Sequence, residues 1–261
     1  MPQLTIITIC RNIVSTIERT CLSIVNQTFQ DFEWIVVDGA STDGTVDILK
    51  KYSSRIDILI SEPDNGIYNA MNKGIKLATG EYILFMNGGD EILNFNTLEN
   101  VFKKANNADV IYGDEYVKND KEYYLFRNQR LLTPKSLYKK TFSHQATFVR
   151  TSIQKKYLFD ESLKIAADYD FFVKIYFKKK YIFERIDMAI SVFYLDGICS
   201  TNYELFNEEN NKIHSKYFCF FQRYKFDSKY RNSIQNRIFH YKMILTHPRY
   251  IAGWIKRKLI K

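Results

Sequence analysis

Amide, hydroxyl and acidic side chains recur in this sequence wherever a short apolar run ends. Thr8, Arg11 and Asn12 close the run 4–9, and Asp38 and Ser41 close 33–38. Asp64 and Asn65 follow 57–61, and Asn87, Gly88, Gly89 and Asp90 follow 82–86. In an open parallel sheet, ligands bind in the crevice beyond the carboxyl ends of the strands, so four such ends converge on one edge. Carboxylates on that edge would repel a diphosphate unless a divalent cation stood between them. The chemistry these residues suit is therefore the binding of a nucleoside diphosphate through Mn2+ or Mg2+, hard cations that take oxygen ligands. A single strand-end aspartate is more often a turn residue, and Asp43, or Asp38 taken alone, reads that way. Repetition at four ends is what argues for a ligand.

The elements that must position these groups follow from the pattern between them. Strand-like runs at 4–9, 33–38, 57–61, 82–86 and 110–117 alternate with helix-period segments, the signature of stacked βαβ units and a mostly parallel sheet with helices on both faces. Ser15 and Glu18 have capping-box spacing ahead of Ile17, Cys21, Ile24 and Val25. Ile67, Ala70, Met71, Gly74, Ile75 and Ala78 share one helical face, with Gly80 placed to end it. Leu98, Val101, Phe102 and Ala105 mark a further helix. Beyond residue 118 the alternation loosens: strands are expected at 123–126 and 146–149, a helix at 168–177, two strands within 181–195, and helix from about 203 onward.

Several functions drop out. No G-x-G-x-x-G follows the first run and no G-x-x-x-x-G-K-[ST] occurs, which sets aside dinucleotide-dependent oxidoreductases and P-loop ATPases. The absence of G-x-S-x-G sets aside esterases of the α/β-hydrolase type. The first thirty residues show no cleavable leader, and no run approaches the ~18 apolar residues of a membrane span, so a cytoplasmic chain is expected. Cys10, Cys21, Cys199 and Cys219 have no metal-ligand spacing and read as packing residues in a reducing compartment.

The net charge of +9 is unevenly spread: residues 212–261 hold 13 Lys and Arg against one acid, Asp227, interleaved with Phe, Tyr and Trp. That mixture suits peripheral contact with an anionic membrane, at the inner face of the cell membrane. Nucleic acid fits it least well, and an ordinary helical cap with a solvated basic face is the plain alternative.

Four ordered motifs then carry a resemblance. The runs TIIT-x-CRN at 5–12, VVDGASTDGT at 36–45, EPDNGIYNAMNKG at 62–74 and GEYILFMNGGD at 80–90 are similar to those of family 2 glycosyltransferases of the GT-A fold. The branch that builds bacterial O-antigens, capsules and exopolysaccharides is the nearest. YGD at 112–114, SHQ at 143–145 and AADYD at 166–170 extend the likeness to about residue 195. The resemblance implies a GT-A transferase domain at 1–200, with a nucleotide-sugar half at 1–117 and an acceptor half at 118–200, followed by a helical basic extension at 201–261. It implies inverting transfer from a nucleotide-sugar, a UDP-sugar above all, to a glycan or lipid-linked glycan. It also implies that Asp38 reads the base beside Thr8, Asn12 and Asp64, and that Asp90 holds the metal where Asn87, Gly88 and Gly89 replace the usual further carboxylates. Asp168 stands at the base position of the family's Glu-Asp pair, with Ala167 in place of Glu, while Asp170 is the runner-up and an N-cap the bland reading of Asp168. His144 and Gln145 fall on the pyrophosphate or acceptor side, and Lys73 or Arg11 would help the leaving group. A sugar-phosphate nucleotidyltransferase would need a Gly-rich basic loop after the first strand, which 10–19 lacks. A non-catalytic adaptor on a degenerate transferase domain would not bind nucleotide-sugars.

Overall fold

In a computed structural model of the chain, residues 1–119, 121–139, 142–195, 202–235 and 238 are described. Strands covered on both faces read as continuous apolar runs, and β1 (Leu4–Cys10) is buried at every position. It pairs in parallel with β2 (Phe32–Asp38) on one side and β4 (Tyr82–Phe85) on the other, and β3 (Ile58–Ser61) adds in parallel outside β2. The helices α1 (Ile17–Val25), α2 (Thr45–Lys51) and α3 (Ile67–Leu77) make the crossovers. After β5 (Glu91–Ile92) and α4 (Thr97–Lys104) come β6 (Val110–Lys118), β7 (Tyr123–Phe126) and α5 (Pro134–Lys139). Then follow β8 (Thr147–Arg150), α6 (Thr151–Lys156), α7 (Ala167–Phe177), β9 (Phe183–Tyr194), α8 (Tyr203–Tyr217) and α9 (Phe220–Phe226).

The strands form one sheet in the order β3-β2-β1-β4-β8-β6-β9-β5, with β7 on β6. The expected parallel α/β half is present in β3-β2-β1-β4. Beyond it the sheet turns mixed, because β8 runs antiparallel to both neighbours while β6 and β9 pair in parallel.

The period-2 alternation of the strands divides the core between two faces. Ile7, Ile9, Ile35 and Val37 pack with α3, α6, α7 and α8. Leu4, Ile6, Trp34 and Val36 pack with α1, α2 and α4 on the other face. Within the C-terminal stretch, Ile213 and Phe218 are buried in the first of these clusters, so α8 is built against α7.

Three local expectations are corrected. Residues 181–195 carry one long strand, β9, not two: between Tyr112 and Asp114 of β6 its register advances from Arg185 to Ala189. The bulge breaks the alternation that would have marked a single strand. No Ser15–Glu18 capping box forms. α1 starts at Ile17 with Thr16 at the cap, and the Ile13 carbonyl accepts from the Thr16 and Ile17 amides. Gly80 does not cap α3, which ends at Leu77. It lies instead flat against β1, where a Cβ would sit 2.6 Å from the Leu4 carbonyl carbon.

Candidate active site

The loops after β1, β2 and β3 interlock through the residues that the sequence singles out. Asp38, at the end of β2, is fully buried and its carboxylate accepts from the Ser41 amide (2.9 Å), the Ser61 hydroxyl (2.6 Å) and the Ser41 hydroxyl. The Cys10 thiol donates to it as well, at 3.6 Å, and burial with the Asp38 charge pushes that thiol's pKa up, leaving it unreactive. Asn12 adopts φ +50° and accepts from the Thr42 amide, while its own amide donates to Ser41 Oγ at 2.7 Å. Asp43 serves as a turn, accepting from Val14 and Thr45. Gly39 lies between Arg11 and Asp64: a Cβ there would meet the Asp64 carboxylate at 2.4 Å and the Arg11 stem at 3.1 Å. Arg11, Asn12, Asp38, Ser41 and Asp64 are thus brought together.

Other candidate residues land elsewhere. Thr8 lies inside β1, two residues short of its end, where its fully buried hydroxyl accepts from the Trp34 indole at 3.0 Å. Lys73 is tied to Glu62 (2.7 Å) and the Pro63 carbonyl (3.0 Å), behind the loop that carries Asp64. Asn65 donates its amide to Asn69 in that same loop.

A second cluster forms around the 3-10 turn His144–Ala146. β4 delivers Asn87–Asp90 to it, and Gly88 permits the approach because a Cβ would fall 2.2 Å from Ile13 Cδ1. Gly89, at φ +100°, donates to Thr20 and accepts from Arg19, whose guanidinium lies 3.5 Å over the Tyr194 ring. Asp90 is only 6% exposed. Its carboxylate accepts from Gln145 Nε2 at 2.9 Å and from the Tyr194 amide at 3.2 Å. His144 Nδ1 stands 3.1 Å from Asp168 Oδ2, and its Nε2 stands 3.0 Å from Asn87 Nδ2. The ring that suits both neighbours carries its proton on Nδ1, donating to Asp168 and accepting from Asn87. Burial works against protonating His144, but the hydrogen bond and charge of Asp168, with Asp90 and Glu115 behind, prevail and hold its pKa above the ordinary value.

Asp168 is the second residue of α7, not its N-cap; that place belongs to Ala166, which offers no capping side chain. Asp168 Oδ1 accepts from the Tyr169 amide (2.8 Å) and the Tyr68 hydroxyl (3.2 Å). Asp170 does not join this cluster: two residues further along α7 it points to nearly the opposite side of the helix, and it is buried between Lys174 (3.1 Å) and Lys216 of α8 (2.9 Å).

Sequence reasoning missed three supporting residues. Tyr68 lies inside a recognised motif but reads as a helix-face aromatic. Ser143 donates to Glu115 and to Gln145, linking the turn to β6. Glu209, in α8, accepts from three backbone amides just before α7, and no local pattern announces it.

For a divalent cation, no group of three His, Cys, Asp or Glu side chains is gathered among the described residues. What is present is the Asp90 carboxylate and, three residues earlier, Asn87 Oδ1, a buried oxygen without a hydrogen-bond partner. Two hard oxygens fit an ion whose remaining ligands come from a diphosphate and water.

The sequence profile described as Glycosyl transferase family 2 matches residues 5–182, spanning both clusters. The chain belongs to glycosyl transferase family 2. Among curated relatives, PGL/p-HBAD biosynthesis glycosyltransferases of Mycobacterium bovis and Mycobacterium tuberculosis are 30% identical over 184 residues, covering 67% of this chain and 70% of theirs. Among solved structures, S. aureus TarS 1–349 in complex with UDP-GlcNAc superposes with TM-score 0.66 at 22% identity, over 86% of this chain and 73% of that one. The mannosyltransferase PcManGT from Pyrobaculum calidifontis, in complex with GDP-Man and Mn2+, gives TM-score 0.57 at 21% identity, over 73% and 56%. These likenesses show the GT-A type of α/β fold. This family 2 member is a glycosyltransferase of bacterial glycoconjugate biosynthesis.

Proposed function

We propose that this glycosyltransferase moves a sugar from a UDP-sugar to a hydroxyl of a lipid-linked glycan with inversion at the anomeric carbon, using Asp168 as general base. The observation that carries the reading is the turn at 143–145, which ties the end bearing Asp90 and the helix start bearing Asp168 into one cluster. Arg11, Asn12, Asp38, Ser41, Asp64 and Asn65 form the nucleotide edge, with Asp38 bracing the loop beneath the base. Asp90 and Asn87 would hold Mn2+ or Mg2+ against the donor diphosphate, and the ion when bound supplies Lewis-acid stabilisation of the leaving group. Gln145 orients Asp90. His144, donating to Asp168 Oδ2, aims that carboxylate so that it takes the acceptor's proton as the hydroxyl attacks. UDP-GlcNAc in TarS and Mn2+ in PcManGT support this choice of donor class and metal.

The membrane part of the reading rests on residues 212–261. No helix among the described residues is long and apolar enough to cross a bilayer. Phe221 is 79% exposed and stands on α9 with Arg223 and Lys225, a pairing that suits an anionic surface. Residues 236, 237 and 239–261, which carry most of the basic charge of this stretch, lie outside the described residues, as does Cys199.

A melting panel tests the core of the proposal, because a ligand that binds only the folded state must stabilise it. UDP-sugars with Mn2+ or Mg2+ should raise Tm, and EDTA should remove most of the shift. Asp90→Ala should abolish the metal-dependent part, since no carboxylate in 87–89 replaces it. A panel in which no UDP-sugar shifts Tm overturns the donor assignment, and an Asp90→Ala protein with undiminished metal response overturns the metal site.

A further inference from the structure

The helix that carries Asp168 begins without a cap of its own. Ala166 at its N-cap has no side chain to accept from the first-turn amides, and the segment leading into it, 164–166, presents three consecutive backbone N–H groups. Such successive amides form an anion-binding concavity, reinforced here by the positive end of an 11-residue helix. The anion comes from elsewhere in the chain. Glu209 of α8 is 2% exposed, and its Oε1 accepts from the Lys164 amide at 2.7 Å. Its Oε2 accepts from the Ile165 amide at 3.0 Å and the Ala166 amide at 2.9 Å. The Ile165 carbonyl in turn accepts from the Tyr68 hydroxyl at 2.6 Å, and that hydroxyl also reaches Asp168. Both polar edges of the segment are therefore fixed two residues before Asp168. A buried carboxylate costs several kcal/mol of desolvation unless its lone pairs are filled. This one is filled by the amides that set the course of the chain into α7.

We propose that Glu209 is a positioning residue for transfer: it fixes 164–166 and so holds Asp168 in the geometry in which it can take a proton, making α8 a working part of the catalytic half. The inference rests on the reading of Asp168 as the base. Positional errors of about 1 Å at a reacting group cost on the order of 100-fold in rate, so loss of this brace is read in turnover before it is read in donor binding. Glu209→Gln is the sharpest variant, because it keeps the shape but turns an NH2 group toward amides that can only donate. Glu209→Asp keeps the charge on a shorter stem.

The experiment measures turnover as UDP release, with the UDP-sugar that gives the largest melting shift in the panel above, together with the Kd of that donor. It compares Glu209→Gln, Glu209→Asp, Asp168→Asn and the double variant Glu209→Gln/Asp168→Asn. The expected result is a fall in kcat of ~10-fold or more for Glu209→Gln, with donor Kd within about two-fold and partial recovery in Glu209→Asp. In the Asp168→Asn background the Glu209 change should cost no further turnover, since residues acting through one group are non-additive. Should Glu209→Gln not fold, Glu209→Asp carries the same cycle. An active Asp168→Asn protein refutes the base assignment itself. A dead Asp168→Asn beside a fully active Glu209→Gln, or losses that simply add, overturns the positioning role while leaving the base assignment standing.

Discussion

Replacing Asp168 by Asn removes one negative charge and almost no volume, and the surrounding geometry says what should follow. Asn Oδ1 can still accept from the Tyr169 amide at 2.8 Å and from Tyr68 at 3.2 Å. The other oxygen becomes an NH2 group facing His144 Nδ1 at 3.1 Å, where the imidazole now has to accept. Its proton then moves to Nε2, and Asn87 must turn its amide so that Oδ1 receives it. That oxygen has no partner beforehand, so the turn is accommodated. The net exchange is one charge-assisted hydrogen bond, worth ~1.5–3 kcal/mol, for a neutral one of ~0.5–1.5 kcal/mol. A loss of about 1 kcal/mol, or a Tm lowered by ~2–4 °C, is expected. Turnover should fall by ~100-fold or more, because an amide cannot take up the acceptor's proton. Donor Kd, measured by calorimetry without metal, should barely move, because the one donor-side group displaced is Asn87 Oδ1 at the metal position. A turnover within about five-fold of the parent protein, or a turnover loss matched by an equal loss of donor affinity, refutes the assignment of Asp168 as base.

The remaining expectations are quickly tested. Gly88→Ala places a methyl 2.2 Å from Ile13 Cδ1 and 3.1 Å from Cys10 Cβ, so overpacking should cost about 1–3 kcal/mol in denaturant melts and weaken metal-dependent donor binding; an unperturbed variant contradicts the packing described. His214, stacked 3.8 Å from Tyr138 and 3.0 Å from the Tyr169 hydroxyl, has its pKa pushed down to about 4, first by burial and then by Arg223. The unfolded imidazole binds its proton near ~6.5, so stability should fall as pH drops from about 6.5 to 4, by ~2 kcal/mol once partial exposure is allowed for. Melting curves of His214→Phe should lack that acid limb. The raised pKa of His144 acts in the opposite sense. Its contribution is whole below ~6.5 and lost as pH rises through the higher folded value, and Asp168→Asn should flatten that alkaline limb. Deleting 236–261 should release the protein from anionic vesicles, at ~1 kcal/mol per cation lost, with donor-induced melting shifts retained. A cut at 202 instead removes Glu209, Ile213 and Phe218 from the core and should yield aggregate.

The parallel half of the fold was legible because its evidence is local. β1 and β2 are continuous apolar runs, α3 keeps a strict face, and the residues after each strand share one chemistry; loops placed on one edge by parallel strands then meet of necessity. The limits were equally local. Thr8 reads as a strand end, but β1 runs on to Cys10 and buries the Thr8 hydroxyl against the Trp34 indole. Asp170 stands two residues from Asp168, yet the 100° advance per helical residue buries it against Lys216. β9 hid as two strands because its bulge shifts the pattern midway.

What the sequence could not disclose was the bracing, and the reason is separation along the chain. Tyr68 meets Asp168 across 100 residues, Ser143 meets Glu115 across 28, and Glu209 meets the 164–166 amides across 43 to 45. Each of these residues has an ordinary local explanation: a helix-face aromatic, a hydroxyl in a loop, one acid among several in a polar helix. Their roles arise only when tertiary packing removes water and leaves a donor or acceptor that must be answered. A motif therefore marks where a substrate or metal is handled, while the groups that keep a catalytic carboxylate aimed can come from any element packed behind it. In this chain that element is α8, read from the sequence as the start of an extension and found in the structure with a buried carboxylate in the N-terminal approach to the helix that bears Asp168.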